Sequence, residues 1–190
     1  MDLIAREDTL VIRRLRDEHD DYELMVRWRN EPHVREWWDP DEPPLSLEGA
    51  ERKYGPRTRA DSATTACVIE QDGRPVGYIQ FYPWVAEETT ALDIPPFDDE
   101  TWGLDLFVGE PDLVGRGIGS RSVDLVCRYL FGNRGASAVA LVAAKGNRRA
   151  LRAYEKAGFH STASVLDTDT RNGQRVESWL MVRHRSGIPG

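Results

Sequence analysis

Apolar residues alternate with polar ones, or crowd into short runs, at seven places along the chain, and each place predicts a β-strand. The first is Thr9 to Leu15. Thr64 to Glu70 and Pro75 to Tyr82 flank Gln71-Asp-Gly-Arg74, and an Asp-Gly pair between two β-rich runs signals a tight hairpin. Thr101 to Val108, Ala136 to Ala143, Phe159 to Leu166 and Val176 to Arg183 supply the rest, the last two around the polar turn Asp169 to Gln174. Elsewhere the spacing is helical. Tyr22, Met25, Val26 and Trp28 mark a helix over Asp20 to Arg29, and a short one follows from His33 to Trp38 after the break at Asn30-Glu-Pro32. Asp39 to Pro44 is a proline-stiffened link, and Ser46 opens a helix expected to fray at Gly55-Pro56. Val123, Val126 and Leu130 lie on another helix, and Asn147 to Ala157 form one closed by Gly158. Hairpins at the front and βαβα at the back predict an α/β or α+β fold. Its mixed, twisted sheet has six or seven strands and about four flanking helices, in one domain over residues 1–190.

Composition narrows the partners. At 40% hydrophobic and 30% charged, the chain can build a core. Lys+Arg 25 against Asp+Glu 32 leaves a net charge of −7, which argues against nucleic acid and permits a cationic partner. Cys67 and Cys127, in separate apolar runs, read as buried thiols of a reducing compartment. No apolar run approaches the ~20 residues a bilayer span needs, and the acidic Met1 to Asp8 is unlike a secretion signal. A cytoplasmic chain with no membrane partner is expected, monomeric or homodimeric, with the final strand available for pairing across a dimer. His19, His33, His160 and His184 show no metal-ligand spacing, so no metal is expected.

The chemistry concentrates in two segments. Gly115-Arg-Gly-Ile-Gly119 lies between a strand and a helix, where glycines bring bare N–H groups and a helix N-terminus toward an anion. It has no lysine, so it is not a Walker A loop, and its Gly-x-Gly-x-Gly order and late position are not those of a Rossmann fingerprint. By themselves the glycines also suit a purely steric turn. The second segment is Asn147-Arg-Arg-Ala-Leu-Arg-Ala-Tyr-Glu-Lys-Ala-Gly-Phe159. Together the two resemble the GCN5-related N-acetyltransferase (GNAT) family.

That resemblance implies acetyl-coenzyme A as cofactor, with Leu106, Phe107, Val108, Val114, Gly115, Arg116, Gly117, Gly119, Ser120, Asn147, Ala150 and Tyr154 meeting it. Val114 departs from the family's Arg or Gln, a loss of side chain more than of backbone. Tyr154 matches the family's general acid beside the sulfur, though a helix tyrosine can also simply pack on the sheet. Asp105, in the apolar strand Leu104-Asp-Leu106, is a carboxylate that needs a cationic or donating partner if it is not at the strand surface.

Trp28, Asn30 to Val34, Glu36-Trp-Trp38, Tyr54, Tyr78, Gln80, Tyr82, Asp105 and the Tyr154 motif look like the aminoglycoside 6′-N-acetyltransferases, over about residues 22 to 160. The likeness implies a cationic amine substrate engaged by Asp105, with Trp38, Tyr54, Gln80 and Asp98 around it; Trp28 reads rather as core. Glu87, Glu88, Asp93, Asp98, Asp99 and Glu100 form a loop free of lysine and arginine, suited to drawing in a polycation or simply to solvation. One departure bears on the substrate: Leu141 to Lys145 lacks the carboxylate those enzymes place there. Siderophore-pathway N-acyltransferases, peptide N-acetyltransferases and a non-catalytic acyl-coenzyme A sensor remain alternatives.

Overall fold

A computed structural model of the chain describes residues 2–39, 42–85, 90, 92–168 and 175–185. The described strands form one mixed eight-stranded sheet in the order β1-β2-β3-β4-β5-β6-β8-β7. They are β1 (Leu3–Glu7), β2 (Leu10–Arg14), β3 (Thr65–Gln71), β4 (Arg74–Pro83), β5 (Thr101–Val108), β6 (Ala138–Ala144), β7 (His160–Thr168) and β8 (Arg175–His184). Around them lie α1 (His19–Arg29), α2 (Pro32–Arg35), α3 (Leu47–Thr58), α4 (Ile118–Asn133) and α5 (Arg148–Lys156).

Strand β1 is the addition to the expected six or seven. Its short Leu3–Glu7 segment lies at the sheet edge with little buried, so alternation is faint there. The Asp-Gly hairpin forms as expected, Asp72 and Gly73 both taking positive φ, which lets β3 and β4 pair from Gln71↔Arg74 onward. Helix α3 runs on through Pro56 to Thr58 instead of fraying, because proline there costs only a bond of the last turn. Strand β8 lies between β6 and β7, so it offers no free edge for a dimer. The polar turn expected at Asp169 to Gln174, Pro40 and Asp41 of the link, and Glu87 and Glu88 of the acidic loop lie outside the described residues.

Each sheet face has its own core. Val123, Val126, Cys127 and Leu130 put the buried stripe of α4 against Ile12, Cys67, Ile79 and Val139. On the other face Tyr22, Met25 and Trp28 of α1 and Tyr54 of α3 pack on Val68, Tyr78 and Phe107. Ala138, Ala140, Leu180 and Val182 are covered by Leu92, Trp84, Ile94 and Phe97 of the β4–β5 loop, whose apolar residues anchor it to the sheet. Both cysteines are free and buried, and burial pushes their thiols up to about 12. No helix among the described residues is long and apolar enough to cross a membrane.

Two features shape the site. Every neighbouring pair in the sheet is antiparallel except β5–β6, which run parallel and pair only from Thr101↔Ala138 to Gly103↔Ala140. Beyond that the two strands part, while β4 stays paired to β5 as far as Gly77↔Val108. The far end of β5 is also tied down: the buried Glu110 carboxylate accepts from Trp28 Nε1 at 2.8 Å, from Arg27 at 2.6 Å and from Arg74. The opened β5 edge is therefore a rigid one.

Candidate active site

The parting of β5 and β6 opens a cleft of about 810 Å³. One wall is α2, the segment after it, and α3; another is α5; the floor is β4 and β5. The turn between β5 and α4 closes one end.

At that turn Gly115 and Gly117 take φ of +81°, which side chains rarely tolerate, and a Cβ at either would stand in open space. The N–H groups of Gly115, Gly117, Ile118, Gly119 and Ser120 have no partner among the described residues. Gly117 is the N-cap of the sixteen-residue α4. Five bare donors leading into a helix N-terminus suit an anion. Arg116 differs from its neighbours: its N–H is used by Leu113 O at 3.3 Å, its side chain is exposed, and it does not line the cleft. Val114 does line it, and so do Leu106, Phe107 and Val108 along the opened edge of β5. His33 Nε2 lies 2.9 Å from Val108 O, a contact that the sequence pattern did not signal. Asn147 caps α5 by accepting from Ala150 N at 3.1 Å, and both line the cleft. Arg149, Arg152 and Lys156, spaced to share one face of α5, add exposed cations to that wall.

Asp105 and Tyr154 line this same cleft. Asp105 Oδ2 accepts from Gln80 Nε2 at 2.8 Å and from the Tyr82 hydroxyl at 3.1 Å, while Oδ1 has no partner among the described residues. Gln80 is itself fixed: its Oε1 accepts from Arg57 Nη1 at 2.7 Å and from Tyr78 OH at 2.8 Å, so its amide must present N–H to Asp105. Burial raises the Asp105 carboxyl above the ordinary carboxylate value, as does the charge of Asp39; the bonds from Gln80 and Tyr82 and the charge of Arg57 oppose the rise. Burial, then the nearby Asp105 charge, holds the Tyr154 hydroxyl well above the usual tyrosine value, so it stays protonated. Gly103 makes the arrangement possible, since a Cβ there would stand 2.5 Å from the Tyr82 ring that lies across it.

Trp38 lines the cleft, held edge-on by Phe107 and Tyr78 at centroid distances of 5.0 and 5.9 Å. Two expected substrate residues lie elsewhere. Tyr54 is completely buried beneath the cleft, its hydroxyl bonded to Arg29 Nη1 at 2.8 Å, and is a core residue like Trp28. Asp98 stands at the paired end of β5 and β6, far from where they part. It accepts from Ser137 Oγ at 2.8 Å, Thr101 Oγ1 at 2.8 Å and Glu100 N at 3.1 Å, joining the two strands. Asp93, Asp99 and Glu100 do not line the cleft either. The acidic residues that do are Glu36, Asp39, Asp105 and Asp167. Asp105 was legible in the sequence, but Asp39 and Asp167 were not, because the segment after α2 and strand β7 come together with β5 only in the fold.

The Acetyltransferase (GNAT) domain model matches residues 17–166. The chain belongs to the GNAT acetyltransferase family. Among its relatives, the aminoglycoside N(6′)-acetyltransferase type 1 of Klebsiella pneumoniae is 28% identical over 174 residues, 88% of this chain and 82% of that protein. The structure of AAC(6′)-Ib in complex with ribostamycin and coenzyme A superposes with a TM-score of 0.76 at 25% identity, covering 94% of both chains. Spermidine N-acetyltransferase from Vibrio cholerae shares the fold at 19% identity, with a TM-score of 0.74 over 95% of this chain and 98% of that one. This GNAT chain is thus an N-acetyltransferase whose acetyl donor is acetyl-coenzyme A. The residues fit that donor, with unpaired amides for its pyrophosphate and an opened strand edge leading from them toward Tyr154.

Proposed function

We propose that this chain acts as one acetyltransferase domain that acetylates a primary amine of a cationic aminosugar, the 6′-amine of an aminoglycoside. One observation carries the reading: a half-buried carboxylate with a single open oxygen, Asp105, shares the cleft with a protonated buried hydroxyl, Tyr154. The free amides of Gly115, Gly117, Ile118, Gly119 and Ser120 would hold the donor's pyrophosphate, with Arg149, Arg152 and Lys156 adding positive charge beside it. When bound, acetyl-coenzyme A supplies an acetyl thioester.

Asp105 Oδ1 anchors the substrate ammonium and takes its proton, directly or through water, leaving the nitrogen lone pair free to attack. A carboxyl raised toward neutrality by burial is better matched to that task than an exposed one. Tyr154 would give its hydroxyl proton to the departing sulfur and recover one, directly or through water, from the nitrogen, which sheds its second proton on becoming an amide. Trp38 offers an aromatic wall for a sugar face, and Glu36 and Asp39 favour a cation at the acceptor end. At the end of β6, where the aminoglycoside enzymes carry an acid, Lys145 lies over the Trp179 ring at 4.6 Å and pairs with Glu177 at 3.3 Å. Asp167 of β7 supplies a carboxylate to the cleft lining.

The test is mass spectrometry of kanamycin incubated with the protein and acetyl-coenzyme A. A mono-acetylated drug, with acetylation at the 6′ nitrogen by NMR, is expected. Coenzyme A binding without transfer to any aminoglycoside would overturn the substrate.

A further inference from the structure

Arg57 is the cation in the acceptor half of the cleft that no carboxylate among the described residues pairs directly; Asp105 feels its charge only across Gln80. Lys53, one helical turn earlier, is held by Asp39 at 2.6 Å and Glu42 at 2.8 Å. Lys145 has Glu177, and the buried Arg29 has Asp39 at 3.1 Å. Arg57 lines the cleft half-buried, with its guanidinium 5.5 Å from the Tyr54 ring centroid. Among the described residues its one hydrogen bond is from Nη1 to Gln80 Oε1, and none of their carboxylates comes within ion-pair distance. A guanidinium carries five donors and cannot shed its charge. The remaining donors therefore call for acceptor atoms from a bound molecule or from water.

Position gives the consequence. From Asp105 Oδ2 the path to Arg57 runs through one hydrogen bond, the Gln80 amide and a second hydrogen bond. That is roughly 7 Å, about the separation of two substituents across one hexose ring. We infer that Arg57 reads the group across the ring from the acceptor amine, accepting a hydroxyl there and rejecting a second ammonium. This rests on the aminosugar reading above and adds a selectivity to it. An ammonium brought to the guanidinium meets like charge and no acceptor, whereas a hydroxyl oxygen completes the donor fork.

Kanamycin A and kanamycin B test it, since they differ by a hydroxyl against an amine at the 2′ position, across the ring from the 6′-amine. The wild-type protein should show kcat/KM at least fivefold higher for kanamycin A. Arg57→Gln, with its melting temperature checked, should bring the two within twofold. Equal use of both by the wild type, or an unchanged ratio in a folded Arg57→Gln protein, overturns the inference. Should Arg57→Gln fail to fold, Arg57→Lys carries the test: it keeps the charge but not the fork, so kcat/KM for kanamycin A falls while kanamycin B stays the poorer substrate. Parity in that variant also overturns it. Should neither drug be acetylated by the wild type, the aminoglycoside reading fails separately, and Arg57 is then read on 5-aminopentanol against cadaverine. Preference for the amino alcohol supports the role of Arg57, and preference for the diamine, or none, overturns it.

Discussion

Replacing Asp105 with Asn changes two measurable quantities in opposite directions. In the wild type Oδ2 of the cleft-lining Asp105 is filled by two donors, Gln80 Nε2 and Tyr82 OH, and Oδ1 has no partner among the described residues. Asn has one oxygen, and to satisfy both donors that oxygen must take the Oδ2 place. Its NH2 group then replaces Oδ1 and points a donor at the substrate ammonium. An ammonium ~4 Å from a carboxylate at an effective dielectric of ~20 is worth ~4 kcal/mol. Its loss corresponds to a fall of about a thousandfold in kcat/KM. Stability moves the other way. Because burial raises the folded carboxyl above its unfolded value, the folded state holds this proton more tightly than the unfolded state does. Ionising it therefore opposes folding at pH above the folded pKa, and that opposition disappears below the unfolded pKa. Asp105→Asn should accordingly melt higher than wild type near pH 8 and equal to it near pH 3, below the unfolded carboxyl value. Thiol-release kinetics and paired thermal melts at the two pH values check this. Retention of kcat/KM within threefold, or a lower melting point at pH 8, would refute the reasoning.

Tyr154→Phe should lower kcat by about a hundredfold, the usual worth of a positioned acid, and leave the KM for acetyl-coenzyme A unchanged; steady-state kinetics decide, and an unaltered kcat removes Tyr154 from the chemistry. Gly117→Ala places a Cβ in open space at φ +81°, so the expected loss is backbone strain of about 1–2 kcal/mol. At roughly 2–4 °C per kcal/mol for a chain of this size, that is visible in a melt, together with a raised KM for acetyl-coenzyme A. Asp98→Ala should lower the melting temperature near neutral pH and leave the KM for the amine untouched. The Asp98 carboxyl is held below its usual range mainly by its bond from Thr101, so this stabilisation is present above the unfolded pKa and fades as pH falls through the folded one. A risen KM would restore Asp98 to the substrate site.

Local signals carried most of the fold. Strand β5 was legible residue for residue because its eight positions combine β-formers with flanking turns, and α5 because Asn147 caps it and Gly158 closes it. Leu3–Glu7 was not, since an edge strand with one weakly buried face leaves little pattern to read. In the site, the residues expected from the two motifs line the cleft, Arg116 excepted. Those brought in from distant segments gave no such signal: Arg57 and His33 reach the cleft only through the packing of α2 and α3 on the sheet. Tyr54 and Asp98 misled for a related reason. An aromatic on a helix and a carboxylate on a loop look alike whether they face a ligand or a neighbouring strand, and only the tertiary contacts separate the two.

Where β5 and β6 part, residues 104–108 have no strand of the described residues beside them on one side, an open ladder inside the molecule and not at its rim. A second polypeptide would be poorly placed to zip onto it, because the neighbouring helices hem it in. A slender ligand bearing amides of its own could enter and stand in for the missing strand. The amide hydrogens of this stretch that point away from β4 should then exchange quickly in the free protein and slowly once coenzyme A is added, so that loading the enzyme also finishes building its sheet.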